Sequence, residues 1–251
     1  MIETKGLTKV FDSTVAVDHF DLLVEPGEIL GLVGINGAGK TTFLRMLSGI
    51  IQPTDGEVMI AGHALAGPRL EGDGVAARHE LAFVPDTPML FDALTVQEHL
   101  LFVADLYSVN DREARFDALL AEFELTERRH STASSLSRGM RQKLAICCAF
   151  LHDPKALLLD EPLTGLDPPG RKRMFAAIKA RAALGSAVII SSHQLEFVEK
   201  LCTRIAIVHQ GQLRLSGSLA EIQQLAAREG GSLEDVFLSA IGVHDGSEES
   251  A

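Results

Sequence analysis

The sequence predicts an α/β fold with a mostly parallel sheet and a helical lobe inserted into it. Three observations carry that expectation. Short runs of consecutive apolar residues, the mark of strands covered on both faces, recur at Glu28–Val33, Ala156–Leu159 and Ala187–Ile190. Stretches of helical periodicity stand between them. A glycine-rich loop joins the first run directly to the first helix.

Taken in order, Glu28–Val33 is bounded by Pro26-Gly27 and Gly34, which suits a short buried strand. Thr41–Ser48 follows as a helix with Phe43, Leu44 and Leu47 on one side and Gly49 as its stop. Gly56–Ala61 and Leu81–Val84 read as strands joined by a polar, glycine-rich stretch over 62–80. From Leu94 to about Phe123 the period becomes helical, through Leu100, Leu101, Ala104 and Tyr107, then Phe116, Leu119 and Leu120. Leu136–Phe150 is a further helix, and Arg171–Leu184 lies between the two later apolar strands. Ile205–Val208 and Gln212–Leu215 form a hairpin around Gln210-Gly211. Ser218–Gly230 and Leu233–Gly242 are terminal helices, and the polar tail 244–251 is expected to be disordered. Residues 1–243 thus read as one domain, with a lobe over about 87–150.

The chain has 251 residues, 46% of them hydrophobic, and a formal net charge of −11. That length buries a core without staples. The acidic balance argues against a nucleic-acid partner, which needs a basic face. Three cysteines, two of them adjacent (Cys147 and Cys148), match neither a disulfide framework nor a zinc site and read as buried thiols. No apolar run approaches the roughly 18 residues that cross a bilayer, and the first ten residues lack the apolar core of a signal peptide.

The chemistry begins at Gly34-Ile35-Asn36-Gly37-Ala38-Gly39-Lys40-Thr41, which fits GxxxxGK[ST] between a strand and a helix. Glycines let main-chain N–H groups turn inward around phosphate oxygens, and the helix N-terminus adds a favourable dipole. Lys40 would reach the terminal phosphates and the Thr41 hydroxyl would ligate magnesium. The strand Ala156–Leu159 ends in Asp160 and Glu161, two carboxylates at the sheet edge where ligands of open α/β folds bind. Asp160 suits a metal partner and Glu161 a general base for the attacking water. Ser137 caps the helix that follows it and Gly139 leaves its amide free, a second anion site that makes sense if it serves another subunit's nucleotide. His193 ends the strand Ala187–Ile190 with Ser191 and Ser192, within reach of the same edge.

Gly34–Thr41, Leu136–Met140, Leu157–Glu161, Leu166-Asp167 and His193, in this order, resemble the nucleotide-binding subunit of an ATP-binding cassette (ABC) transporter. The resemblance covers the chain from about Ile2 to Val208. It implies a P-loop NTPase core with an antiparallel β subdomain and an inserted helical lobe. It also implies ATP and Mg²⁺ as cofactors, held by Gly34, Asn36, Gly37, Ala38, Gly39, Lys40, Thr41 and Thr42. Two such subunits would stack head to tail, each ATP lying between one loop and the other chain's LSRGM. Phe11 resembles the aromatic that stacks on adenine, and Asp167 the residue that crosses the dimer interface. The stretch from Asp86 to Phe123 would touch an integral membrane permease, which places the subunit on the cytoplasmic face of the membrane. The segment Ser232–Leu238, with the SRGM sequence, is similar to exporter-type cassettes.

Two departures stand out. The usual LSGGQ is LSRGM here, keeping Ser137 and Gly139 but placing Arg138 and Met140 between and after them. Phe83-Val84-Pro85-Asp86 has a carboxylate where the family usually carries glutamine, so Asp86 is expected in the magnesium shell. Two rival readings remain at this stage. One is a cassette ATPase without a permease, acting in assembly, repair or translation; the other, a small-molecule kinase, conflicts with the signature helix.

Overall fold

A computed structural model describes residues 1–67, 74–228 and 232–242, the side chains of 226–228 aside. The element that organises the rest is a six-stranded sheet whose central members are almost wholly apolar. β3 (Ile29–Val33), β7 (Ala156–Asp160) and β8 (Ala187–Ser192) are buried at every position. With β6 (Leu81–Val84), β9 (Arg204–His209) and β10 (Gln212–Ser218) they take the order β10-β9-β3-β8-β7-β6. All neighbours are parallel except the β9–β10 hairpin. Register aligns the strand ends: Val84 faces Leu159, Asp160 faces Ser191, and Val33 faces Ser192. The residues that follow each strand therefore share one edge.

A second, antiparallel sheet of order β2-β1-β4-β5 comprises β1 (Ile2–Phe11), β2 (Thr14–Val24), β4 (Asp55–Ile60) and β5 (His63–Ala66). Strand alternation divides the core in two. Leu30, Leu32, Leu158 and Ile189 point to the face where α1 (Lys40–Leu47) packs under the antiparallel sheet, with Phe20 and Phe43 ring centroids 4.3 Å apart. Ile29, Val33, Leu157, Leu159, Val188 and Ile190 point to the opposite face, toward the remaining helices.

Those helices include α3 (Val96–Leu106), α4 (Arg112–Glu122) and α5 (Arg138–Phe150), which lie in sequence between the adjacent parallel strands β6 and β7. α6 (Pro168–Ala183) and α7 (Leu195–Leu201) flank β8, and α8 (Leu219–Arg228) and α9 (Leu233–Ala240) close the described chain. No helix among the described residues is long and apolar enough to cross a membrane.

Several elements differ from the sequence expectation. The stretch 62–80 is not a bare connection; it contains β5 and a short helix α2 (Val75–His79) around the undescribed residues 68–73. The single helical period from Leu94 breaks at Tyr107–Asp111, where Ser108 and Asp111 adopt positive φ and end one helix before the next begins. α5 starts two residues later than Leu136 because Ser137 is its cap: its hydroxyl accepts from the Met140 N–H at 3.3 Å. α6 starts three residues earlier than Arg171, since Pro168 and Pro169 are acceptable in a first turn, where the missing N–H groups would have had no intrahelical partner. The tail 244–251 lies outside the described residues.

His152 follows α5 and stacks on Tyr107, with ring centroids 3.8 Å apart. Burial pulls its pKa down to about 4, outweighing a weaker opposing interaction with the Leu81 backbone. The unfolded chain, titrating near 6.5, takes up the proton first. Stability from this site is thus complete above pH 6.5 and falls as pH drops toward 4, by about 3 kcal/mol at the limit. Urea unfolding of the wild type and His152→Phe at pH 7.5 and 4.5 checks this. The wild type is expected to lose about 2–3 kcal/mol more than the variant; equal losses would refute it.

Candidate functional site

The site begins where β3 ends. Gly34–Gly39 turns the chain into α1, and Gly39 caps that helix with φ +105° and no side-chain acceptor. A Cβ at Gly39 would lie 2.4 Å from the Ala16 carbonyl oxygen, so only glycine lets the loop pass beneath β2. The β9–β10 turn completes this packing: the Gly211 N–H donates to the Ala38 carbonyl at 2.9 Å, and the Asp18 N–H to the Gly211 carbonyl at 2.9 Å. The first-turn N–H groups of α1 thereby remain without a side-chain cap, the arrangement that receives anions.

Lys40 is 7% exposed, and its ammonium donates to the carbonyls of Gly34 (2.7 Å) and Ile35 (3.1 Å). Burial lowers its pKa, an effect opposed by the negative charges of Glu161 and Asp160. At the end of β7, Asp160 is buried and accepts a hydrogen bond from the Ser191 hydroxyl at 2.5 Å. The same hydroxyl accepts from the Glu161 N–H at 3.1 Å. Ser191 therefore ties both acidic residues to the neighbouring strand, a role its place in the sequence did not reveal. Glu161 itself adopts φ +47°, a conformation uncommon for a residue with a side chain and recurrent at functional sites. Its carboxylate meets His193 Nδ1 at 2.7 Å.

These residues converge. Asn36, Gly37, Ala38, Gly39, Lys40, Thr41 and Thr42 line one cavity of about 540 Å³ together with Asp86, Asp160 and Glu161. Gly34 joins through its carbonyl and His193 through Glu161. Sequence reasoning did not anticipate the opposite wall, formed by Thr14, Val15, Ala16 and Gln210. Phe11 is not in that wall; it is 43% exposed at the end of β1, with the Lys9 ammonium 4.9 Å from its ring centroid.

Ser137, Gly139 and Asp167 also lie outside the cavity lining. Asp167 accepts from the Gly170 N–H at 3.1 Å and so caps α6. Gly139 packs on the loop that leads into α6, since a Cβ there would approach the Gly165 carbonyl to 2.7 Å. The start of α5 and the segment Leu163–Asp167 are thus one packed surface. For magnesium, Thr41, Asp160 and Asp86 offer the hard oxygen donors that ion prefers. Among the described residues no three His, Cys, Asp or Glu side chains gather into a preformed cage. The donor set fits an ion that completes its shell with phosphate and water.

A second hollow, of about 650 Å³, opens between the sheet and the inserted helices. Phe83, Pro85, Met89, Leu90, Leu106 and Tyr107 are in its lining, and its rim carries Met89 at 92% exposure.

The sequence profile of the ABC transporter family matches residues 17–164, more than half of the chain. The chain belongs to the ABC transporter family. Its similarity to the ABC-type transporter ATP-binding protein EcsA of Bacillus subtilis is 32% identity over 240 residues, covering 95% of each chain. A solved ATP-binding subunit of an ABC transporter superposes with a TM-score of 0.88 at 32% identity, over 96% of this chain and 99% of that one. A bacterial ABC transporter cassette solved as a dimer superposes with a TM-score of 0.79 at 25% identity, over 87% and 99%. The P-loop core, antiparallel sheet and helical insert of this ABC chain are those of the solved cassettes.

Proposed function

We propose that this ABC subunit hydrolyses ATP in a head-to-tail dimer and drives export through a separate membrane permease, from the cytoplasmic face of the membrane. The observation that carries the proposal is the meeting of Lys40, Thr41, Asp160 and Glu161 on one cavity at the carboxyl edge of the sheet. The Gly34–Thr41 backbone would cradle the phosphates, and Lys40 would exchange its two carbonyl partners for phosphate oxygens. Bound Mg²⁺ would neutralise phosphate charge, with Thr41 and Asp160 as its protein ligands. Glu161, oriented by His193, would accept the proton of the attacking water.

Ser137 and Gly139 support the dimer. A capped helix start that lies outside the lining of its own chain's nucleotide cavity suits the nucleotide of a facing chain. In that arrangement the Leu163–Asp167 segment packed behind Gly139 reports one chain's state to the other. Phe11 would supply adenine stacking at the border of the site. The relative EcsA, named as a transporter's ATP-binding protein, supports coupling to transport, and the exporter-like SRGM and Ser232–Leu238 segments support its direction.

The hollow beside Met89 and Leu106 suits the permease's cytoplasmic segment, because exposed apolar patches rimmed by polar residues mark interaction sites. Affinity purification from detergent-solubilised membranes tests it. The wild type is expected to retain a multi-span protein, and Met89→Glu combined with Leu106→Glu to lose it while still binding ATP. Recovery of soluble proteins alone, or retention by the double variant, would overturn the transport reading.

A further inference from the structure

Three carboxylates face the nucleotide cavity, but only two have partners. Asp160 is held by the Ser191 hydroxyl and Glu161 by His193. Asp86, two residues beyond Val84 of β6, is half-buried and makes no hydrogen bond or ion pair among the described residues. The sole ammonium in the described lining, that of Lys40, is turned onto the Gly34 and Ile35 carbonyls. Asp86 therefore adds a negative charge that no further ammonium or guanidinium of the described lining offsets. β6 and β7 are neighbours in register, so Asp86 flanks the end of the strand that carries Asp160 and Glu161.

Resting on the nucleotide-site reading above, we propose that Asp86 makes triphosphate binding conditional on a divalent cation. The cavity presents three carboxylates against one ammonium. A triphosphate arriving without metal meets net negative charge, whereas a metal–triphosphate complex brings the cation that Asp86 lacks. With no preformed cage among the described residues, the cation and the phosphates are admitted together. A neutral amide at this position would neither repel the bare nucleotide nor draw in the cation. The substitution at position 86 thus sets a requirement for order: nucleotide enters as its metal complex or hardly at all.

Titration calorimetry tests this with ATP in EDTA and with ATP in excess Mg²⁺, on the wild type, Asp86→Asn, Asp86→Gln and Asp86→Glu. The quantity read is the ratio of the two dissociation constants. It is expected to shrink about tenfold in Asp86→Asn and Asp86→Gln, chiefly because metal-free ATP binds more tightly, and to be preserved in Asp86→Glu. Equal tightening with and without Mg²⁺ would show diffuse repulsion only and overturn the proposal, as would an unchanged ratio in both amide variants. Lys40→Met, measured alongside, separates the two levels. Undiminished ATP binding by that variant defeats the nucleotide-site reading itself. Its loss of binding, beside an unchanged ratio in the Asp86 variants, defeats only the role of Asp86. Thermal unfolding of each variant identifies any that fails to fold, and the two amide replacements serve as each other's check.

Discussion

Glu161→Gln is expected to lower ATP turnover by about 10²- to 10⁴-fold while leaving ATP binding intact. Glutamine keeps the length and hydrogen-bonding shape of glutamate but cannot accept the proton of an attacking water. The backbone tolerates the exchange: glutamine meets the φ of +47° no worse than glutamate, and the Ser191 hydroxyl holds the Glu161 N–H without involving the side chain. The contact to His193 Nδ1 at 2.7 Å also survives, because an amide oxygen can accept from the imidazole. Loss of rate with retained binding leaves the ATP-loaded form as the resting species. Phosphate release would give the rate, and sedimentation with ATP would show the dimer accumulating. A variant that binds ATP yet stays monomeric would remove the head-to-tail mechanism. A variant with unimpaired turnover would remove Glu161 as the base.

The parts of the molecule legible in its sequence are those where one physical demand dominates. β3, β7 and β8 are buried on both faces, so their runs of Leu, Ile and Val leave no alternative. The loop Gly34–Thr41 is legible because close approach of backbone to Val208 at Gly34 and to Ala16 at Gly39 admits few residue types. β1 and β2 carried no such mark. Irregularities at Thr4/Leu7, Leu7/Lys9 and Lys9/Val10 break the alternation of β1, and half-solvated strands mix Thr, Lys and His among their apolar positions. With those strands unread, the wall of the cavity at Thr14–Ala16 was invisible too.

The join between α3 and α4 had a signal in Ser108, Asn110 and Asp111, turn formers that tolerate positive φ, but the apolar period runs on around them. Ser191 shows a different limit. Its sequence neighbours mark a strand end, but its hydroxyl works through residues 30 and 31 positions away, and only the β7–β8 register brings them together.

The cavity's charge decides the outcome at Lys40. Lys40→Met is expected to weaken ATP binding by at least about 10²-fold and to abolish measurable hydrolysis. Methionine retains most of the apolar stem, so the packing of a side chain only 7% exposed is largely conserved and the loss reports on charge. Without the ammonium, the described lining retains Asp86, Asp160 and Glu161 and no cation to set against them. The start of α1 still lacks a side-chain cap, so some affinity for phosphate persists, but its N–H groups carry partial charges only. Burial lowers the pKa of the wild-type lysine, an effect partly opposed by the negative charges of Glu161 and Asp160. Phosphate oxygens would add to that support, so binding should strengthen the protonated form rather than compete with it. Calorimetry on folded Lys40→Met measures the loss, with thermal unfolding as the control for integrity. Wild-type affinity in that variant would mean that the phosphates lie elsewhere, and the convergence at the sheet edge would then need another ligand to explain it.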